Sequence, residues 1–274
     1  MTEPYYLKIK DPQEFLRHYL SIYEGDYNKS RARKIISLFP KLRDKKVLDI
    51  GCGGGFYSSF MHRKKCKDIT LVDISFVCVK ADKLHLLENA SLDSEGLVAD
   101  ATALPFRDEY FDFVLCIDLI EHIQKDDTLL HEIRRVLKDS DLMVVATQNS
   151  DSINYILEAP IQRYVFKNRG WMGWDPTHLR FYTPKQLLYL LKNCGLATIK
   201  FDGTYFIPYL MATWLNRINT GFSQALYHIL KLINDKLEPK HKAPWKLFDW
   251  GIMFLCVKDN DLENMNNVAQ SRDK

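Results

Sequence analysis

KKVLDIGCGGG, residues 45–55, is a short apolar run that reaches an acid and then breaks into glycines. A run of this kind, charged at one end and glycine-bounded at the other, reads as a buried strand. Glycines belong directly after it if the turn is tight and a ligand approaches the backbone closely. In the dinucleotide fingerprint the third glycine falls three residues after the second. Here that position is Phe56, and the spacing is Gly-x-Gly-x-Gly behind Asp49. Taken alone, the loop is equally a simple turn, so its meaning rests on the segments around it.

Downstream, a helix is expected from about Phe56 to Arg63, then a strand DITLVDI at 68–74. Ser75 is a fitting N-cap for a helix to Glu88. Further strands follow at 96–99, 111–117 (FDFVLCI) and 141–147 (DLMVVAT). Between the last two, Leu129, Leu130, Ile133, Val136 and Leu137 share one face of a helix over 126–138. Strand and helix alternate at least four times, which argues for a parallel sheet covered on both faces by right-handed crossovers. Upstream, residues 13–39 read as two helices separated at Gly25. After Thr147 the rhythm changes. Residues 150–183 are irregular and aromatic, with Trp171, Trp174, Phe181 and Tyr182. A helix from Pro184 to about Asn193, a strand over 196–203, a second insertion over 204–250 and a last strand, GIMFLCVK, complete the pattern.

Composition excludes several classes. The chain has 274 residues, 46% hydrophobic and 27% charged, an ordinary globular balance. A net charge of +3, with basic residues scattered, gives no case for a nucleic-acid partner. The six cysteines, at 52, 66, 78, 116, 194 and 256, contain no Cys-x-x-Cys pair. Neither a structural zinc site nor a disulfide framework is expected, and a reducing, cytoplasmic setting fits best. No apolar run approaches the roughly 18 residues of a membrane span, and the polar N-terminus does not read as a secretory signal.

Acids mark three successive strand ends. Asp49 precedes the glycines, Asp73 ends the second strand 22 residues after Gly51, and Asp100 follows the third. An acid about 20 residues beyond the glycines accepts hydrogen bonds from ribose hydroxyls in nucleoside-binding sheets. A carboxylate at Asp100 can accept from an exocyclic amine such as adenine N6. Each acid read singly is a helix cap. Three in order on one carboxyl edge point to a nucleoside-containing cofactor.

VLDIGCGGG, LVDIS, VADATALPF, FDFVLCIDLIEHI, HEIRRVLK and THLRFYTPKQLLYLLKNCGL together resemble the successive motifs of class I S-adenosylmethionine-dependent methyltransferases. The similarity is to the small-molecule type, related to quinone-biosynthesis O-methyltransferases and sugar-tailoring methyltransferases. It spans about residues 30–203 plus the last strand. It implies an α/β fold with a doubly wound, seven-stranded, mostly parallel Rossmann-like sheet, its last strand antiparallel, carrying helical and aromatic insertions. It further implies that Gly51, Cys52 and Gly53 line the methionine part of S-adenosyl-L-methionine, with Asp49 near the amino group. Asp73, with Ile74 beside it, would hold the ribose, and Asp100 with Ala101 the adenine. Ile117 and Asp118 would face the sulfonium. One departure is Asp139-Ser140-Asp141, where the family usually has a proline-glycine turn. The expected organisation is an N-terminal helical lid over 1–40, a methyltransferase domain over 41–258 with insertions at 150–183 and 204–250, and a disordered tail over 259–274.

Methyl transfer is an in-line displacement that needs approach geometry above all, and a base only where the acceptor must lose a proton. Asp118, Glu121 and His122 would share one face if they open a helix. They form either an acid–base cluster or, as the minor reading, a divalent-metal site; no residue is assigned to a metal. His178, in DPTHLRFYTP, titrates in the range of a general base, and the alternative is a structural histidine. His178, His122 and Asp118 are therefore the candidate catalytic residues. Arg180 beside His178 reads first as a surface ion pair. From Trp214 on, Leu215, Ile218, Phe222, Leu226, Ile229, Ile233 and Leu237 recur at steps of three and four. This amphipathic stretch is expected to dock on the core, with peripheral membrane contact as the second reading.

The favoured function is methyl transfer to an O or N atom of a small-molecule acceptor. The alternatives are a methyltransferase acting on a membrane-associated lipid or a macromolecule, and a non-catalytic S-adenosylmethionine-binding protein. The oligomeric state is left open.

Overall fold

The computed structural model describes residues 8–66, 68–90, 94–169, 171, 173, 175–208, 211–212, 215, 219–237 and 244–261. Trp174, Trp214, Ile218 and positions 262–274 of the expected tail lie outside them. Seven strands form one sheet in the order β3-β2-β1-β4-β5-β7-β6. They are β1 (Lys46–Ile50), β2 (Asp68–Asp73), β3 (Glu95–Val98), β4 (Phe111–Ile117), β5 (Leu137–Gln148), β6 (Leu196–Thr204) and β7 (Gly251–Lys258). Strands β1 to β5 pair in parallel, and β7 is antiparallel to both of its neighbours, β5 and β6. The expected doubly wound sheet with an antiparallel last strand is thus the observed one. Strand β6 runs the same way as β5, so the chain leaves β1 to β6 at one common edge.

The central strands are apolar throughout because both of their faces are covered. On one face Leu48, Val114, Cys116, Val145 and Phe254 pack against Leu129, Leu130 and Ile133 of helix α5 (Asp126–Val136) and Leu187 and Leu191 of α7 (Pro184–Asn193). On the other face Val47, Leu71, Phe113, Leu115 and Val144 meet residues of three more helices. These are Ile35 of α2 (Asp26–Ser37), Met61 of α3 (Phe56–Arg63) and Val79 and Leu86 of α4 (Phe76–Ala90). From Phe113 to Ile117 successive residues of β4 alternate between the two clusters, as the period of two requires, and Phe111 lies out of phase across a register shift.

Helix boundaries follow local chemistry. Helix α1 (Pro12–Ile22) starts with proline behind Asp11, whose carboxylate accepts the Glu14 N–H at 2.9 Å. Gly25 then separates α1 from α2. Helix α7 opens with Pro184 and a capping box between Thr183 and Gln186. Helix α6 (Ile153–Pro160) and a π turn at Ile161–Val165 build the first insertion.

Three details differ from expectation. Strand β5 begins at Leu137, four residues early, and carries Asp139-Ser140-Asp141 through a register break with Ser140 at φ 61. Charged contacts hold this irregular stretch: Lys258 reaches Asp139 at 2.8 Å, and the Ser140 N–H donates to Asp261 at 2.6 Å. Residues 259–261, expected in the tail, form a helical turn, and Asp261 is buried.

The third difference concerns helix α8 (Thr220–Leu237). It does not bury its apolar stripe. It docks through Ser223, Tyr227, Leu230 and Asn234, with hydrogen bonds from Ser223 to the Ala212 carbonyl and from the Ile207 N–H to Asn234. Phe222, Ile229, Leu232 and Ile233 are exposed by 58%, 54%, 60% and 41%. These polar side chains satisfy a loop carbonyl and a loop N–H, which favours turning that edge inward. Among the described residues, no helix is long and apolar enough to cross a membrane.

Truncating a side chain buried on both sides should be costly, and truncating an exposed one should not. Leu115→Ala in β4 is expected to lose about 3 kcal/mol in urea unfolding, against less than about 0.5 kcal/mol for the half-exposed Leu188→Ala.

Candidate active site

The glycine loop begins where β1 ends. Gly51, Gly53 and Gly55 all have positive φ, at 70°, 55° and 73°. A Cβ on Gly51 would stand 3.0 Å from Leu119, and one on Gly53 would stand 2.8 Å from the ring of Tyr19. Glycine is required both by the backbone and by the side chains lying on the loop. The Gly51 and Cys52 N–H groups donate to the Val72 carbonyl, which ties the loop to the end of β2.

At that end Asp73 accepts from the Gly53 N–H at 3.2 Å and from the Ser75 N–H at 2.9 Å. Burial raises its pKa, and these backbone donors oppose the rise. Ile74, next in the chain, is 73% exposed, a large apolar side chain standing open at the sheet edge. Asp100 is exposed and accepts from the Thr102 N–H and hydroxyl, both at 2.8 Å, which hold it below the ordinary carboxylate range. Ala101 is buried behind it. Asp49, Gly51, Cys52, Gly53, Asp73, Ile74, Asp100, Ala101 and Ile117 thus lie in or beside the carboxyl ends of β1 to β4. An open apolar surface flanked by carboxylates, next to a glycine turn, fits a nucleoside joined to an amino-acid chain.

Asp118 follows β4 with φ 50, an uncommon value for a side-chain-bearing residue. Its two oxygens receive the Arg31 guanidinium at 2.5 and 2.6 Å. Arg31 comes from α2 and is almost wholly buried, so a bidentate pair fastens the N-terminal helices to the end of β4. The sequence brought Asp118 forward as a base beside Glu121 and His122. The turn at Ile120–His122 is instead a short 3-10 helix, and Asp118 is committed to Arg31. Nothing in the local pattern signals a partner 87 residues away.

Glu121 and His122 meet His178, and ligand atoms of the three lie within 4.8 Å of one another. The His122 and His178 rings are 4.7 Å apart, edge to face. Thr177 steadies His122 through its hydroxyl, 3.1 Å from Nδ1, and the Leu179 N–H donates to the Glu121 carbonyl. Both Glu121 carboxyl oxygens and His178 Nδ1 are buried without a hydrogen bond of good geometry, and the Thr147 hydroxyl beside Glu121 is likewise unpaired. Burial, and then the charge on Asp118, push Glu121 well above the usual carboxylate range. Burial, and then His122, bring His178 down to about 4, so its imidazole is neutral near pH 7. Unpaired polar atoms at this depth are costly unless a substrate, water or ion completes them. Phe181, Tyr155 and Trp171 continue from His178 as a chain of ring contacts 5.2 to 5.7 Å apart. Arg180 pairs with Asp126 at 2.5 Å and is not part of this cluster.

Residues 9–200 match the family described as a methyltransferase domain. The ubiquinone biosynthesis O-methyltransferase of Nitrosomonas europaea is 27% identical over 186 residues, 67% of this chain and 77% of that protein. The protein of the same description from Pelagibacter ubique is 30% identical over 175 residues, 63% of this chain and 70% of its own. Among solved structures, an S-adenosylmethionine-dependent methyltransferase from Mesorhizobium loti shares the fold with a TM-score of 0.56 at 11% identity, covering 86% of this chain and 99% of that one.

If Arg31 and Asp118 act as one unit, Arg31→Met and Asp118→Asn should each destabilise, and together cost less than their sum. A double-mutant cycle in denaturant is expected to give a coupling of about 1–2 kcal/mol.

Proposed function

We propose, from the premise that this chain belongs to the methyltransferase-domain family and is an S-adenosylmethionine-dependent methyltransferase, that it methylates an oxygen of a small, lipophilic aromatic acceptor. The observation that carries this reading is the pair of buried groups Glu121 and His178, whose carboxyl oxygens and Nδ1 lack well-formed hydrogen bonds, gathered with the half-buried His122 and walled by Tyr155, Trp171 and Phe181. Methylating a hydroxyl requires a place for its proton, and a neutral imidazole beside a carboxyl group is such a place. The names of the curated relatives, ubiquinone biosynthesis O-methyltransferases, favour oxygen over nitrogen.

The cofactor, when bound, supplies a methyl group made electrophilic by its sulfonium. The chain supplies orientation. Gly51, Cys52 and Gly53 would admit the methionine part, with Asp49 toward its ammonium. Asp73 and Ile74 would hold the ribose, Asp100 and Ala101 the adenine, and Ile117 would line the approach to the sulfonium. Asp118 holds Arg31 and so keeps α1 and α2 over the site as a lid. His178, helped by His122 and Glu121, takes the acceptor proton. A divalent cation on Glu121, His122 and His178 is the second reading, favoured by the closeness of the three ligand atoms. There it would lower the acceptor's pKa.

Two insertions leave the carboxyl edge of the sheet and expose apolar side chains. Tyr164, Val165 and Phe166 come from the first, and the α8 stripe from the second. Arg163, Lys167, Arg169, Lys231 and Lys236 accompany them in sequence. We read this as peripheral contact with an anionic lipid surface from which a lipophilic acceptor is drawn.

Calorimetric titration with S-adenosylmethionine should give binding that Asp73→Ala weakens about tenfold or more, the scale of one lost charge-assisted hydrogen bond. His178→Asn and Glu121→Gln should leave that binding in place and lower kcat by about 10²- to 10⁴-fold on a phenolic acceptor. Loss of turnover on chelation, restored by magnesium, would select the cation reading; indifference to chelation would select the acid–base one. Sedimentation with phosphatidylglycerol vesicles should retain the parent protein and release Ile229→Ser/Ile233→Ser. Equal behaviour of the two would remove the lipid-surface reading.

A further inference from the structure

Beneath the glycine loop lie two carboxylates that the strand-end motif does not explain together. Asp49 is the penultimate residue of β1. Asp82 is in the middle of α4, on the face that also buries Val79 and Leu86. Ser58 of α3 stands between them and is itself fully buried. Its Oγ lies 2.6 Å from an Asp49 oxygen and 3.1 Å from an Asp82 oxygen.

A serine hydroxyl carries one hydrogen. It can donate to one carboxylate, and the other contact is attractive only if that second group brings a hydrogen of its own. The shorter distance marks Asp49 as the acceptor from Ser58. The remaining oxygen of Asp82 lies against Gly55, where a Cβ would overlap it, and the Cys52 thiol, a weak donor, is what opposes its burial there. Among the described residues no paired cation reaches the second carboxylate. Asp73 of β2 and the thiols of Cys52 and Cys78 border the pair, Tyr19 of α1 borders Asp49, and His85 of α4 turns its Nδ1 to the Gly54 and Gly55 carbonyls. Two ionised carboxylates sharing one hydroxyl hydrogen in this setting would repel each other, with only the weak Cys52 thiol donor to offset it.

We propose that Asp82 is held as a neutral carboxylic acid that donates its proton to Ser58, so that Ser58 gives its own hydrogen to Asp49 and the single negative charge sits on Asp49. Asp82 is thereby a positioning residue, acting through Ser58. Burial, and then Asp49, hold Asp82 well above the ordinary carboxylate range, while burial raises Asp49 to about 7 against the opposing hydrogen bond from Ser58. The consequence for the cofactor rests on the reading of Asp49 as partner of the methionine ammonium.

A group protonated in the folded protein and ionised in the unfolded chain takes up a proton on folding. Its contribution to stability therefore declines as pH rises above the unfolded carboxylate pKa, and goes on declining up to the folded one. Asp82→Asn keeps the size and a hydrogen for Ser58 but removes this titration. In thermal unfolding of the ligand-free protein between about pH 5 and 8, Asp82→Asn is expected to gain on the parent by roughly 3 °C per pH unit. A flat difference, or one that falls as pH rises, would mean an ionised Asp82 and overturn the proposal. Should the variant not fold, the infrared carbonyl stretch of a protonated carboxylic acid is sought in the parent protein at neutral pH. A component of it that persists in Asp49→Asn and moves in Ser58→Ala supports the proposal, and its absence overturns it. The cofactor side is read separately: Ser58→Ala should shift the acid limb of S-adenosylmethionine binding to higher pH, because Asp49 loses the donor that keeps it ionised. If the thermal result holds and this limb does not move, the proton assignment stands and the reading of Asp49 as the ammonium partner fails.

Discussion

Strands β1 and β4 lie side by side although two strands and two helices separate them in the chain. From this seam the chain builds outward in opposite directions, β2 and β3 to one side, β5 to β7 to the other. The loops after β1 and β4 therefore part and leave a crevice at the carboxyl edge. The whole site depends on that parting. The glycine loop lines one wall. Asp118 and the Glu121 turn line the other. Arg31 reaches into the gap from the N-terminal helices and closes it with a paired charge.

The charges of this edge are sorted by burial. Asp100 is exposed and ionises easily, held by Thr102. Asp73 is half-buried and receives backbone donors that offset the cost. Asp49 and Asp82 share a serine, and Glu121 has only its own N–H and the Thr147 hydroxyl nearby to oppose the cost of burial. The deeper the carboxyl group, the more its protonation depends on one neighbour. That gradient separates groups suited to hold a polar ligand from groups suited to accept or store a proton.

Much of this was legible in the letters. The strands announce themselves because buried parallel strands are apolar on both faces, and Gly51, Gly53, Asp73 and Asp100 fall at strand ends that periodicity locates. His178 and His122 were legible as residue types, and their meeting was not, because it requires the chain to return over the sheet after α6. Arg31 falls in the N-terminal region expected as a lid, but its pairing was hidden for the same reason: its partner is distant in sequence, and a helical arginine is ordinarily a surface residue. Asp82 did leave a trace, an acid at the spacing of Val79 and Leu86 on an otherwise apolar helix face. The orientation of α8 was misjudged because an apolar stripe ordinarily turns inward. Here Ser223 and Asn234 turn inward, since they satisfy the backbone of the preceding loop.

The most direct test of the account is a crystal structure with the product, S-adenosylhomocysteine. The account predicts its amino-acid end over Gly51–Gly53, its ribose on Asp73, its adenine between Ile74 and Ala101, and its sulfur facing the space bounded by Asp118 and His178. Product bound away from the carboxyl edge, or bound there with His178 and Glu121 walled off from the sulfur, would contradict it.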